Sequence, residues 1–271
     1  MDADVLTLIL IMAAGGVLSG ILAGLLGVGG GIINVPVLYT AFGMIGVDES
    51  VRMHMAVATS MAIIVPTSIR SGMAHAAKNA VVFGVLKSWG PFIVLGALVA
   101  SYAASGIPSD ALIAFFATMV GVMGLKLFFW HDDAYLKGRN DQGFLGRLVA
   151  TFIGGASSLM GIGGGSFSVP FMTMFAYPPH LAVGTASWIG LIIAVPATIG
   201  YVLGVPAVET PAYSFGYING VGFLGVAITS VLMAPYGAKL AHKLDARILS
   251  LVFGGFLLLT SARMFWPVLF G

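Results

Sequence analysis

The sequence predicts an all-α, polytopic transmembrane protein made of two inverted five-segment repeats, each with a Gly-broken helical hairpin. Three observations carry this. Hydrophobic residues make up 59% of the 271 and charged residues only 8%, with mean hydropathy +1.03; a soluble domain carries about 25% charged residues and covers its surface with them. Apolar runs of about 18 residues or more, enough to cross a hydrocarbon core, recur along the whole chain. The glycine cluster GVGGG at 27–31 returns as GIGGG at 161–165. A transmembrane β-barrel does not fit, because barrel strands alternate polar and apolar residues while these runs are continuously apolar.

In chain order the apolar segments are 5–26, the first glycine cluster, 32–45, 55–69, 81–104 and 111–130. The polar stretch 131–147, with Lys137, Arg139, Asn140, Asp141 and Gln142, reads as a cytoplasmic linker. Then follow 148–160, the second cluster, 167–177, 181–203, 212–235 and 248–270. The expected organisation is a first transmembrane repeat over 1–130, the linker over 131–147, and a second repeat over 148–271. Asp2 and Asp4 with no nearby Lys or Arg do not make the basic start of a signal peptide, so the first run reads as part of the mature protein. Without cysteine there is no disulfide or thiolate metal site. A net charge of +2 gives no reason to expect nucleic acid as a partner.

The repeat rests on three stations in the same order. Residues 27–36 align with 161–170 without a break, ending on Pro36 and Pro170. His54-Met-Ala-Val-Ala-Thr59 resembles His180-Leu-Ala-Val-Gly-Thr185, and Val65-Pro66 resembles Val195-Pro196. Positive residues gather on cytoplasmic loops. Arg70 and Lys78, then Lys137, Arg139 and Arg147, then Lys239, Lys243 and Arg247 form three basic loops, while 105–109 and 204–211 contain none. Putting the basic loops inside makes 81–104 run outward and 111–130 inward, and places the N-terminus outside. An odd number of segments per half then gives the halves opposite orientation. Segments 32–45 and 167–177, about 21 and 17 Å long at ~1.5 Å per residue, are too short to cross a ~30 Å core. Short Gly/Pro-interrupted segments at matching places of two inverted halves point to a transporter's binding site.

A half-helix that starts just after a glycine turn presents free N–H groups and a partial positive charge, a ready site for an anion. The candidate substrate-binding residues are therefore Gly29, Gly30, Gly31, Asn34, Thr59 and Ser60 in the first half. Their partners in the second are Gly163, Gly164, Gly165, Ser166, Ser168, Thr185 and Ser187. Ser and Thr in membrane helices also bond their own backbone, and scattered glycines such as Gly121, Gly124 and Gly254 read as helix-packing residues. His54 and His180 are candidates for gating or proton relay, with a helix-start position as the plainer reading, and His75 reads as a loop residue. Lys87, Lys126 and Arg263 lie near span ends, where long cations snorkel to the head groups; Lys87 and Arg263 are also placed to draw anions toward a vestibule. No Asp or Glu falls in the middle of a span, which argues against a carboxylate proton or cation site. There is no HExxH, GxSxG or intramembrane acid pair, so an enzyme is not expected, nor a cofactor or metal.

The G-x-G-G-G cluster closing the first segment, its match after the central polar loop, and the His-x-Ala-Val-x-Thr stretches resemble the sulfite exporter TauE/SafE family over nearly the whole chain. That resemblance implies a carrier of sulfite or an organosulfonate across the cytoplasmic membrane. Sulfoacetate, thiosulfate and organic carboxylates stay open, as do an anion channel on the same scaffold and an anion-sensing subunit. The expected partners are the small anion and the bilayer.

Overall fold

A computed structural model describes residues 3–27, 29–129, 143–241 and 246–270. The first half forms α1 (Ala3–Leu26), α2 (Gly31–Met44), α3 (Glu49–Ala76), α4 (Phe83–Ala104) and α5 (Ser109–Phe129). The second forms α6 (Phe144–Met160), α7 (Gly165–Met174), α8 (Pro179–Leu203), a minimal hairpin of β1 (Ser214–Phe215) and β2 (Ile218–Asn219), α9 (Gly220–Ala241) and α10 (Ala246–Phe270). Five helices, α1, α4, α5, α8 and α9, are long and apolar enough to cross a membrane. With these, the protein is a multi-pass membrane protein. The half-helices α2 and α7, at 14 and 10 residues, stay short as the sequence predicts.

Several boundaries depart from expectation. Helix α3 runs 28 residues, past Arg52, Arg70 and His75; its early start is fixed by Asp48, which caps it by accepting from the Ser50 N–H at 2.9 Å. His75 is thus no loop residue; it lies in the last turn of α3, buried, with Nε2 2.8 Å from the Gly24 carbonyl. Helix α6 begins at Phe144, inside the expected linker, whose residues 131–142 lie outside the described ones. The ninth segment starts eight residues late: 212–219 form a turn and the β1–β2 hairpin, and α9 continues through Pro235 to Ala241.

The long helices α3 and α8 pack on each other at the centre, with α4 and α9 against them. Around this core the halves exchange partners: α1 lies along α9, α6 lies along α4, and α5 pairs with α10. Small residues make the exchange possible. A Cβ on Gly16 would lie 2.5 Å from the Val226 carbonyl oxygen, and one on Gly20 would strike that of Ser230. In the matching pair, Gly96 faces the Thr151 carbonyl and Gly154 the Ile93 carbonyl. Backbones that close need glycine, the small-residue mode of packing helices in lipid. The scattered glycines behave likewise: Gly121 faces Ser261 and Gly124 faces Leu258, and the Ser261 hydroxyl donates to Ala117 O at 2.7 Å.

The loops without Lys or Arg come together at one end. His54, in the second turn of α3, places Nε2 3.1 Å from Ala104 O and 3.0 Å from Ile107 O. Facing two carbonyls, that nitrogen carries the proton. Its ring stacks on Tyr217 of the hairpin turn at 5.2 Å, and the Tyr217 N–H donates to Tyr201 O at the end of α8.

Candidate functional site: two facing glycine turns

The break after α1 is a run of left-handed residues, Gly27, Gly29 and Gly30, with φ of 68, 69 and 77°. L-residues avoid this region, and only glycine turns the chain there without strain. The break after α6 has the same character, with Gly161 at 67° and Gly164 at 62°. Gly30 and Gly164 are the N-caps of α2 and α7, and neither start has a side-chain cap. Each cap carbonyl accepts two amides, from Ile33 and Asn34 at Gly30, and from Phe167 and Ser168 at Gly164.

The two turns meet. A Cβ on Gly29 would lie 3.2 Å from the Gly163 Cα and 2.9 Å from Ile64 Cγ2, and one on Gly31 would strike the Gly161 carbonyl oxygen. On the other side a Cβ on Gly190 would lie 3.0 Å from the Gly163 oxygen and 2.8 Å from Ser68 Oγ. Ile64 and Gly190 stand near the middle of α3 and α8. The repeat-related Gly29 and Gly163 therefore face each other at mid-length of the central helix pair. The Gly164 and Gly165 amides turn back on their own loop, donating to Ile162 O at 2.9 Å and Gly163 O at 2.6 Å.

The hydroxyls divide into two groups. Ser60 donates to Gly161 O at 2.7 Å and Ser168 to Gly164 O at 2.9 Å, so both brace the second turn. Ser19, which the sequence gives no reason to select, braces the first by donating to Gly30 O at 3.2 Å. Ser187 bonds Ser71 at 3.0 Å and Val183 O at 3.2 Å, below the first turn. Thr59 and Thr185 lie away from the tips. Thr59 accepts the Asn219 N–H at 3.1 Å, just before α9, and Thr185 accepts the Val82 N–H at 2.9 Å, just before α4. Each threonine thus seats the fourth helix of the opposite half. The histidines also part company, for His54 is buried in the contacts above while His180 is exposed.

What stands out at the turns is polar atoms with no protein partner. Asn34, fully buried in the first turn of α2, has neither Oδ1 nor Nδ2 bonded, and the hydroxyls of Ser68, Ser157 and Ser166 are likewise buried and unbonded. Buried polar groups are nearly always satisfied, and leaving one unsatisfied costs about 1–3 kcal/mol. Asn34 and Ser166 follow directly from the motif. Ser68, Ser157 and Gly190 were missed, because each looks like any small residue in an apolar helix.

Such a protein, a polytopic helical membrane protein whose broken helices meet at its centre, has the anatomy of a transporter. Residues 12–264 match the sulfite exporter TauE/SafE family, and the chain belongs to it. A probable membrane transporter protein of Haemophilus influenzae is 30% identical over 262 residues, covering 96% of this chain and 98% of its own. Similar proteins, also named probable membrane transporter proteins, occur in Methanocaldococcus jannaschii, at 26% identity over 92% of this chain and 90% of the relative, and in Bacillus subtilis, at 22% over 94% and 96%. No solved structure matches.

Proposed function

We propose that the protein is a secondary transporter of a small anion, sulfite or an organosulfonate, working by alternating access across the cytoplasmic membrane. The observation that carries this reading is Asn34: a buried amide on the first turn of a helix that begins at a glycine turn, with donor and acceptor both unused. An oxyanion seated there accepts from the Asn34 amide and the Ser68 and Ser166 hydroxyls. The two uncapped helix starts add their partial positive charges. No full positive charge is needed, so the anion is held weakly enough to leave. The halves, related as inverted repeats, rock about the facing turns to expose the anion to each side in turn. The family name suggests the sulfur oxyanion, and the unused donors at the turns support a small, hydrogen-bond-accepting anion.

Asn34→Leu tests it. Leucine matches the volume and removes the unsatisfied amide, so the variant is expected to unfold at the same temperature as the parent or higher. Sulfite and sulfonate flux into proteoliposomes is expected to fall at least tenfold. Parental flux in a folded Asn34→Leu protein overturns the site. Substitutions at Gly30 are a poorer test, since any Cβ there strikes Ser19 and strains the turn whatever the ligand.

A further inference from the structure

A second feature lies well away from the glycine turns. A groove of about 580 Å³ opens between the C-terminal turns of α2, the start of α3 and the C-terminal half of α10. Its walls are mostly apolar, but two arginines line it, Arg52 and Arg263. Arg52 is anchored by neutral oxygen: its Nε and Nη2 donate to Val47 O at 3.1 and 2.7 Å, and its guanidinium lies 5.6 Å from the Tyr39 ring centre. Two exposed carboxylates stand near it: Glu49, 3.4 Å away and 84% exposed, a pairing worth little in water, and Asp48, whose carboxyl the Arg52 charge helps hold below the usual carboxylate range. Arg263 donates from Nη2 to the Thr40 hydroxyl at 3.1 Å, and among the described residues no carboxylate pairs with it. The groove thus holds two positioned guanidiniums, of which Arg263 has no carboxylate partner among the described residues.

The surroundings say what kind of anion fits. Leu259 and Trp266 line the same groove on α10 and are 71% and 66% exposed, so the rest of the chain leaves this apolar flank uncovered. Tyr39 and Trp266 are the aromatic types that gather at head-group depth, and both stand near helix ends, beside the α2–α3 turn. Guanidiniums at that depth suit a lipid phosphate, which their planar N–H groups bind by charge-assisted hydrogen bonds. A soluble oxyanion would have mostly hydrocarbon to face here, whereas a lipid brings acyl chains that cover it.

We infer that this groove is a binding site for an anionic phospholipid, its phosphate held by Arg52 and Arg263 and an acyl chain laid along the α10 wall. The inference is independent of the substrate site. The test uses the purified full chain in neutral detergent. Phosphatidylglycerol, phosphatidylcholine and inorganic phosphate are titrated in turn, with lipid retention read by native mass spectrometry and unfolding temperature by thermal shift. Phosphatidylglycerol is expected to be retained and to stabilise, phosphatidylcholine far less, and phosphate not at all. Arg263→Gln, which removes a charge anchored only by Thr40, is expected to weaken phosphatidylglycerol retention about tenfold, the worth of one charged hydrogen bond, with the lipid-free unfolding temperature unchanged. Equal retention of the two lipids, unchanged retention in Arg263→Gln, or stabilisation by phosphate alone overturns the assignment. Arg52→Gln is a weaker variant, since it also frees the Val47 carbonyl.

Discussion

Thr59 and Thr185 carry the same motif position in the two halves, and each accepts a backbone N–H from the residue preceding a helix of the other half. Both side chains are fully buried. Thr59→Val and Thr185→Val keep the shape and remove the acceptor. Each is expected to cost about 1–2 kcal/mol by leaving a buried amide unpaired, seen as a lower unfolding temperature in detergent, with the KM for anion flux unchanged. A raised KM at parental stability would make them substrate ligands instead. Asn34 is the opposite case, where removing the polar group is expected to leave the fold intact and stop transport. The contrast depends on whether a protein atom or a diffusing ligand completes the hydrogen bond.

Among the elements, the paired half-helices α2 and α7 are short because glycine turns precede them and short turns follow, at Ile45 and Phe175. Their burial depends on the swapped pairs α1–α9 and α6–α4 that surround the centre. In α1, Gly16, Gly20 and Gly24 stand four apart and each meets an α9 carbonyl. Gly20→Val pushes the helices apart and is expected to destabilise by roughly 2 kcal/mol or more, lowering the unfolding temperature. The same change at Gly84, which has open space around its missing Cβ, is expected to do far less. Equal effects at the two glycines would show that α1–α9 contact contributes little.

For the whole molecule, orientation is a matter of charge. Loops 104–107 and 201–217 meet through His54 and Tyr217, and both lack Lys and Arg, while Arg70 and Lys78 cluster near the far end of α3. By the positive-inside rule the first group is expected outside and the second in the cytoplasm. The chain has no cysteine, so single cysteines report cleanly. An impermeant maleimide is expected to label Ser105→Cys and Glu209→Cys on intact cells and to leave Lys78→Cys untouched. The reverse pattern would refute the orientation.

The sequence by itself determined the membrane class, the near-boundaries of most helices and the two glycine breaks. These are local properties: hydrophobic run length, the left-handed preference of glycine, and motif spacing all lie within one stretch of chain. It did not determine the start of α9, since apolar residues 212–219 suit a hairpin as well as a helix, nor the separate fates of His54 and His180. It named Thr59, Ser60 and Asn34 alike as candidates without separating them. Only the tertiary structure decided that Ser60 braces the Gly161 turn, that Thr59 seats α9, and that Asn34 and Ser68 stay unbonded at the centre. Those outcomes depend on residues more than a hundred positions apart, such as Gly29 and Gly163, and no local pattern encodes which distant backbone group a buried hydroxyl or amide will meet.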